Sequence, residues 1–293
     1  MSKFSDALNS GRSVITCELN PPKGVDLDRL YEKAEMLRGM VDAFNVTDSA
    51  GSNMTMAPVG AAHLLLDKGI EPILQITGRD RNRIALQAEL LAAHALGISN
   101  VLCMSGDPPG GGDHPDAKAV FDLDALGLLR ATNSLRSGTD ISDNELKGAP
   151  DFIAGAVANP GSGDMDKEIR YMEAKIDAGA SFFQTQAVFE PGNFEKFMNV
   201  AQRFNLPILA GLIVLKSARM ARNLNANLPG VHVPDDIIHE LDGAESASEK
   251  SVEISARIIR EILPMCTGVH IMAIGWESRV PRILEASGLG GRR

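Results

Sequence analysis

Long apolar runs are missing from this 293-residue chain. No stretch approaches the roughly 18 apolar residues of a membrane-spanning helix, so the membrane is not an expected partner. The N-terminal Met-Ser-Lys-Phe-Ser-Asp lacks the apolar core of a signal peptide, and the cytoplasm is the expected compartment. Cysteine is scarce. Cys17, Cys103 and Cys266 lie far apart, which argues against a disulfide framework or a zinc site and predicts reduced thiols. The six histidines show neither HxxxH nor HExxH spacing, so no catalytic metal is expected. Aromatic residues make up only 4% of the chain, so a flat ligand must be gripped mainly by aliphatic and polar groups. Positive charge is in deficit: the net charge is −9 and the basic residues are scattered, which argues against nucleic acid. GxGxxG is absent after the first strand-like run, and no GxSxG elbow occurs, which disfavours a dinucleotide-binding sheet and covalent hydrolysis.

What is present is ordinary globular composition, 44% hydrophobic and 23% charged, arranged in strict alternation. Strand-like runs fall at 14–18, 43–47, 71–77, 100–105, 152–156, 181–186, 207–214 and 268–273. Helical patterns fall at 27–40, 58–68, 81–96, 123–137, 165–178, 192–204, 217–225, 249–262 and 280–286. A repeated βα unit demands parallel strands with right-handed crossovers, and eight such units in this length predict an α/β fold of the (β/α)8 TIM-barrel type. A doubly wound sheet is the alternative. Gly69, Gly97 and Gly179 stand where left-handed helix caps are expected. The polar stretch 137–149 reads as an excursion between units, the acidic stretch 235–249 as a solvated helix face, and residues 1–293 as one domain.

In such a barrel the chemistry collects where strands end. Glu18 closes the first strand, just before the Pro21-Pro22 pair that cannot continue a ladder. With Leu19 and Pro21 beside it, its carboxyl is expected to titrate high enough to donate a proton near neutral pH; the bland alternative is a surface salt bridge. The other strand ends supply Thr47-Asp48, Gln75-Ile76-Thr77, Ser105-Gly106-Asp107, Asn159, Gln184-Thr185-Gln186, Lys216-Ser217 and Trp276-Glu277. This ring of amides and hydroxyls, with few cations, suits a heterocycle of alternating donors and acceptors such as a flavin or pterin. Gln184 and Gln186 share a strand face with Phe182, one glutamine nearer the core and the other at the mouth. The glycine-rich loop 107–115 reads equally as a phosphate cradle or a plain crossover loop. Lys175 and Arg170, on a helix, read by position alone as solvated.

In order and spacing, Cys-Glu-Leu-Asn-Pro-Pro (17–22), Asn-Val-Thr-Asp (45–48), Ile-Thr-Gly-Arg-Asp (76–80), Ser-Gly-Asp-Pro-Pro (105–109), Lys-Ile-Asp-Ala-Gly-Ala (175–180) and Gln-Thr-Gln (184–186) resemble the methylenetetrahydrofolate reductase family over about residues 10–285. The resemblance implies a flavoprotein, with FAD or else FMN across the strand ends. Such a protein passes a hydride from NAD(P)H through the flavin to methylenetetrahydrofolate. It implies catalytic roles for Glu18, as the acid that protonates N10, and for Asp107. Gln186 and Asp107 are implied as substrate contacts, and Thr47, Thr77, Ser105, Gly106, Asp107, Phe121, Asp122, Asn159 and Lys175 as cofactor contacts. It thereby reverses the solvated reading of Lys175. Departures are visible. Leu19 and Asn20 stand where phenylalanines are expected, Ser105 replaces an arginine, and Gln75 replaces a histidine. The usual stacking aromatic falls near Ala218, leaving Met220 or Leu215 as the replacement. Folate and nicotinamide are the implied small-molecule partners, within a homo-oligomer. The alternative is a flavin- and pterin-binding subunit fed electrons by a partner protein, and a third reading is a non-enzymatic scaffold.

Overall fold

The strands β1 (Val14–Leu19), β2 (Ala43–Val46), β3 (Pro72–Thr77), β4 (Asn100–Met104), β5 (Ile153–Ala158), β6 (Phe182–Ala187), β7 (Ile208–Ile213) and β8 (Gly268–Met272) pair in chain order and close into a parallel barrel. This is a computed structural model, and it describes residues 2–228 and 230–291. Closure is made by β1 against β8, with Val14 opposite Gly268 and Thr16 opposite His270. The expected (β/α)8 TIM barrel is therefore present.

Eleven α-helices occur among the described residues: α1 (Lys3–Leu8), α2 (Asp28–Met36), α3 (Pro58–Asp67), α4 (Arg83–Ala95), α5 (Ala125–Arg136), α6 (Met165–Asp177), α7 (Pro191–Ala201), α8 (Ala218–Asn227), α9 (Asp235–Asp242), α10 (Ala247–Ile262) and α11 (Val280–Ser287). Two lie outside the expected pattern. The first, α1, is too short to show a period. The second, α9, corrects the reading of 235–249 as one solvated face, because Ile237, Ile238 and Leu241 are buried. The helix expected over 27–40 stops at Met36, and Gly39 turns the chain with φ 76°. The three glycine caps form as expected. Gly69, Gly97 and Gly179 have φ of 74°, 85° and 107°. The residue after each donates back to Leu65, Ala93 and Lys175, which satisfies a carbonyl that the helix end leaves free.

Strand side chains alternate between the lumen and the helical layer. Outward residues such as Ile15, Cys17, Leu74, Ile76, Val101 and Cys103 join the main core under the helices. Inward residues near the strand starts, Val14, Ala43, Ile73, Leu102, Phe182 and Leu209, form a second cluster with Phe4 and Ala7 of α1. Phe4 meets Phe182 edge-on, with ring centroids 5.1 Å apart. Gly155 makes room for that ring: a Cβ there would lie 2.2 Å from Phe182 Cζ. Helix α1 thus plugs the N-terminal end of the barrel.

Candidate active site

Two residues further along the strands the lumen turns polar. Thr16, Asn45, Gln75, Gln184 and His270 are buried there. Glu18 lies above them, half-buried, and its Oε1 accepts from Gln75 Nε2 at 3.1 Å and lies 3.6 Å from His270 Nε2. The apolar neighbours expected from sequence are not its surroundings. Leu19 points outward into the helical core, because adjacent strand residues face opposite ways, so Glu18 is set among polar groups. Gln184 is the core-proximal glutamine, 1% exposed, while Gln186 is at the mouth.

Beside Glu18 a cavity of about 430 Å³ opens across the ends of β2 to β6. Gln75 lines it and so bridges it to Glu18. The candidate residues Thr77, Ser105, Gly106, Asp107, Asn159, Lys175 and Gln186 line it together. Gly106 is required by its φ of 88° and by crowding, since a Cβ there would sit 3.0 Å from Thr77 Cβ and Arg79 Cβ. The Thr77 backbone N–H and hydroxyl both donate to Asp48 Oδ2, at 2.8 and 3.0 Å, and Arg81 also binds that carboxylate. Ser105 Oγ accepts from Ala125 N at 3.1 Å, tying the β4 end to the start of α5. The Asn159 backbone is fixed by Glu168, whose Oε1 accepts its N–H at 2.9 Å. Asp107 is exposed at the rim.

Lys175 is not a solvated helix residue. It is 5% exposed, its Nζ donates to Val157 O at 2.6 Å, and it lies 3.9 Å from the Tyr171 ring centroid. Burial pulls the ammonium down to about 8, with Glu168 and Asp124 opposing that shift. Arg79 adds a second buried cation on the cavity wall, where the sequence suggested few. It is held by Asp80, by Ser52 Oγ at 3.1 Å and by Ser49 O at 3.3 Å.

Other candidates sit elsewhere. Thr47 is buried and its hydroxyl donates to Asn20 Oδ1 at 2.8 Å. Asp122 is clamped by Arg83, whose backbone N–H and guanidinium hold its carboxyl down near 2. Phe121, 40% exposed with φ 43°, turns the chain beside Gly78. Met220 packs at the start of α8, where its Sδ accepts from Lys216 N at 3.5 Å. None of these four lines the cavity. In the loop 107–115, Asp113 binds Lys23 and accepts from Met54 N, while Asp107 lines the cavity. Sequence reasoning missed Arg79, Tyr171, Glu168 and His270. The only signal for His270 was its place on an inward-facing position of β8, two residues before the strand end.

Fold and site together define a (β/α)8 barrel with a cavity at the C-terminal ends of the strands, an acid hydrogen-bonded to its wall through Gln75, and a buried cation in that wall. The sequence model of the methylenetetrahydrofolate reductase family matches residues 3–288, and the chain belongs to that family. Methylenetetrahydrofolate reductase 2 of Schizosaccharomyces pombe is 26% identical, over 98% of this chain and 47% of the yeast protein. Methylenetetrahydrofolate reductase (NADH) 1 of Zea mays is 22% identical, over 99% of this chain and 50% of its own length. The chain spans about half the length of the curated relatives it matches. A solved Clostridium thermocellum protein described as binding two copies of 5-methyl-5,6,7,8-tetrahydrofolic acid shares the fold, with TM-score 0.70, 17% identity and 98% coverage of both chains.

Proposed function

We propose that this chain is a flavin-dependent reductase that converts 5,10-methylenetetrahydrofolate to 5-methyltetrahydrofolate, in either direction, with NAD(P)H as electron source. The carrying observation is Glu18 held through Oε1 by Gln75 of the cavity wall, with no hydrogen bond on its second oxygen among the described residues. The relative named for NADH and the neighbour described with a methyl-folate support the reading.

The cavity fits a flavin, FAD or FMN. Thr77, Ser105, Gly106, Asp107 and Asn159 offer alternating donors and acceptors, and Lys175 is a buried cation with one hydrogen-bond acceptor among the described residues. When bound, the flavin supplies two-electron hydride chemistry between the donor and the folate. Glu18 gives its proton to N10 of the folate, the C–N electron pair moves onto N10, and the five-membered ring opens to an iminium. Asp107 at the rim and Gln186 on the wall hold the pterin edge.

A second reading keeps the flavin and folate but takes electrons from a partner protein. One observation favours it: Tyr171 is the aromatic ring that lines the cavity, and Lys175 already occupies its face. One experiment tests both. The protein, loaded with FAD or FMN, is expected to be bleached anaerobically by NADH or NADPH and reoxidised by methylenetetrahydrofolate. The Glu18→Gln variant is expected to slow the folate step by about 10³-fold while leaving flavin reduction within about twofold. Failure to bind flavin, or equal loss in both steps, overturns the proposal. Reoxidation by folate without bleaching by either nicotinamide selects the second reading.

A further inference from the structure

Beneath Glu18 the lumen holds a closed set of side chains that the proposed reaction does not otherwise use. Asn45 and Gln184 exchange amide bonds, Asn45 Nδ2 donating to Gln184 Oε1 at 2.7 Å and Gln184 Nε2 donating to Asn45 Oδ1 at 3.0 Å. The same Gln184 nitrogen donates to Thr16 Oγ1 at 3.1 Å. Thr16 Oγ1 lies 2.9 Å from His270 Nδ1, directly across the β1–β8 closure. A threonine hydroxyl has one proton to donate. Gln184 is already a donor to it, so among the described residues the acceptor left in reach is His270 Nδ1. That donation requires the imidazole proton on Nε2, and Nε2 lies 3.6 Å from Oε1 of Glu18. Gln75 donates to that same oxygen. Both nitrogens thus lie toward one carboxylate oxygen, and the other has no hydrogen-bond partner among the described residues.

We propose that His270, its proton held on Nε2 by Thr16, is a positioning residue that clamps Oε1 of Glu18 with Gln75 and leaves Oε2 to deliver the proton. The inference rests on the reductase reading of the site. The proton leaves Oε2 for the folate nitrogen, and Glu18 is left as a carboxylate. The charge that develops is met at Oε1 by two N–H donors that were in place beforehand, so little reorganisation accompanies the transfer. A 3.6 Å contact is long for a hydrogen bond, and contacts of this kind tighten once substrate is bound. A purely structural network would fix the same tautomer but would not favour one half-reaction over the other.

The test is a spectroscopic reading of the tautomer joined to the half-reactions. In protein labelled with ¹⁵N-histidine, two-bond ¹H–¹⁵N correlations report the tautomer of each imidazole, and His270 is assigned by its loss in His270→Gln. The wild type is expected to show Nε2–H alone. Thr16→Val, close in shape but without the hydroxyl, is expected to lose that preference. It should also slow the folate half-reaction by about tenfold or more, with folate KM and flavin reduction within about twofold. His270→Gln, whose amide can place an N–H near the lost Nε2, is expected to retain at least about fivefold more of that rate than His270→Leu. Should Thr16→Val not fold, the wild-type tautomer and the Gln–Leu pair decide alone. An Nδ1–H tautomer in the wild type, a Thr16→Val rate equal to wild type, or equal loss in both half-reactions overturns the positioning role and leaves the reductase reading standing. A wild type with the Nε2–H tautomer but no folate turnover overturns the reductase reading, and the role of His270 with it.

Discussion

The two ends of the barrel lumen are lined by the same strands, at positions only two to four residues apart, and they differ completely in character. On β1 the inward series runs Val14, Thr16, Glu18; on β3 it runs Ile73, Gln75, Thr77; on β6 it runs Phe182, Gln184, Gln186. At the strand starts these are apolar and sealed by α1 through Phe4. At the strand ends they are polar, hydrogen-bonded across the lumen and open to a cavity. The contrast teaches that stability and chemistry are separated along each strand and not between strands. The apolar layer fixes strand register, and one step up that register brings Thr16 opposite His270, with Gln184 across the lumen.

The largest expected effect that sharpens this comparison is at the sealed end. Phe182→Ala removes a fully buried ring packed on Phe4 and over Gly155, and it should cost about 3–5 kcal/mol in chemical denaturation. If the ends are separable and the cavity takes the flavin proposed above, the folded fraction keeps its flavin affinity. A change in flavin affinity larger than about threefold, about 0.7 kcal/mol by the tenfold-per-1.4 rule, would break the comparison.

A smaller effect belongs to the open end. Burial holds Lys175 in the folded protein at about 8, below its ordinary value of 10.5. Below both values native and unfolded chains each carry the proton. Between them the unfolded chain binds a proton that the native chain does not, so stability rises with pH across that window. The rise amounts to up to about 3 kcal/mol at 1.36 kcal/mol per unit. The thiols of Cys103 and Cys266, pushed up by burial, oppose this at alkaline pH. The readout is therefore the difference between wild type and Lys175→Met, measured by urea denaturation from pH 7 to 10.5. Wild-type stability relative to Lys175→Met is expected to rise with pH across this window. A constant difference would mean that the ammonium is not desolvated, and the cavity wall would lose its buried cation.

Much of this was legible from the chain. Eight apolar runs separated by helical periods gave the barrel, and proline and glycine punctuation placed Glu18 and the helix caps, because those signals are local. The spatial surroundings of each candidate were less legible. Asp122, implied by the resemblance as a cofactor contact, is held by Arg83 at the start of α4, and Met220 packs against the helical core near Lys216. Lys175 reads as solvated because helix position alone does not reveal that Tyr171 and Val157 enclose its amine. His270 and Thr16 are 254 residues apart, and only barrel closure makes them neighbours. Pairings set by closure leave no local trace in sequence.

The smallest expected effect concerns how the plug is attached. Ser2 caps α1, its Oγ accepting from Ser5 N at 3.0 Å, and the same hydroxyl donates to Asn100 Oδ1 at 2.5 Å at the start of β4. Asn100 is itself anchored, its Nδ2 donating to Glu71 Oε1 at 2.7 Å and to Pro72 O at 2.9 Å. One hydroxyl thus both starts the helix and latches it to two strands of the barrel floor. Ser2→Ala is expected to cost about 1 kcal/mol, the usual loss for an N-cap. Ser2→Gly, which keeps a tolerable cap but not the latch, separates the two roles. If Ser2→Gly costs only a few tenths of a kcal/mol, capping is the main contribution, since glycine substitution at an N-cap typically costs no more than that. If it costs as much as Ser2→Ala, the bond to Asn100 is what holds the plug, and the sealed end depends on a polar contact as the open end does.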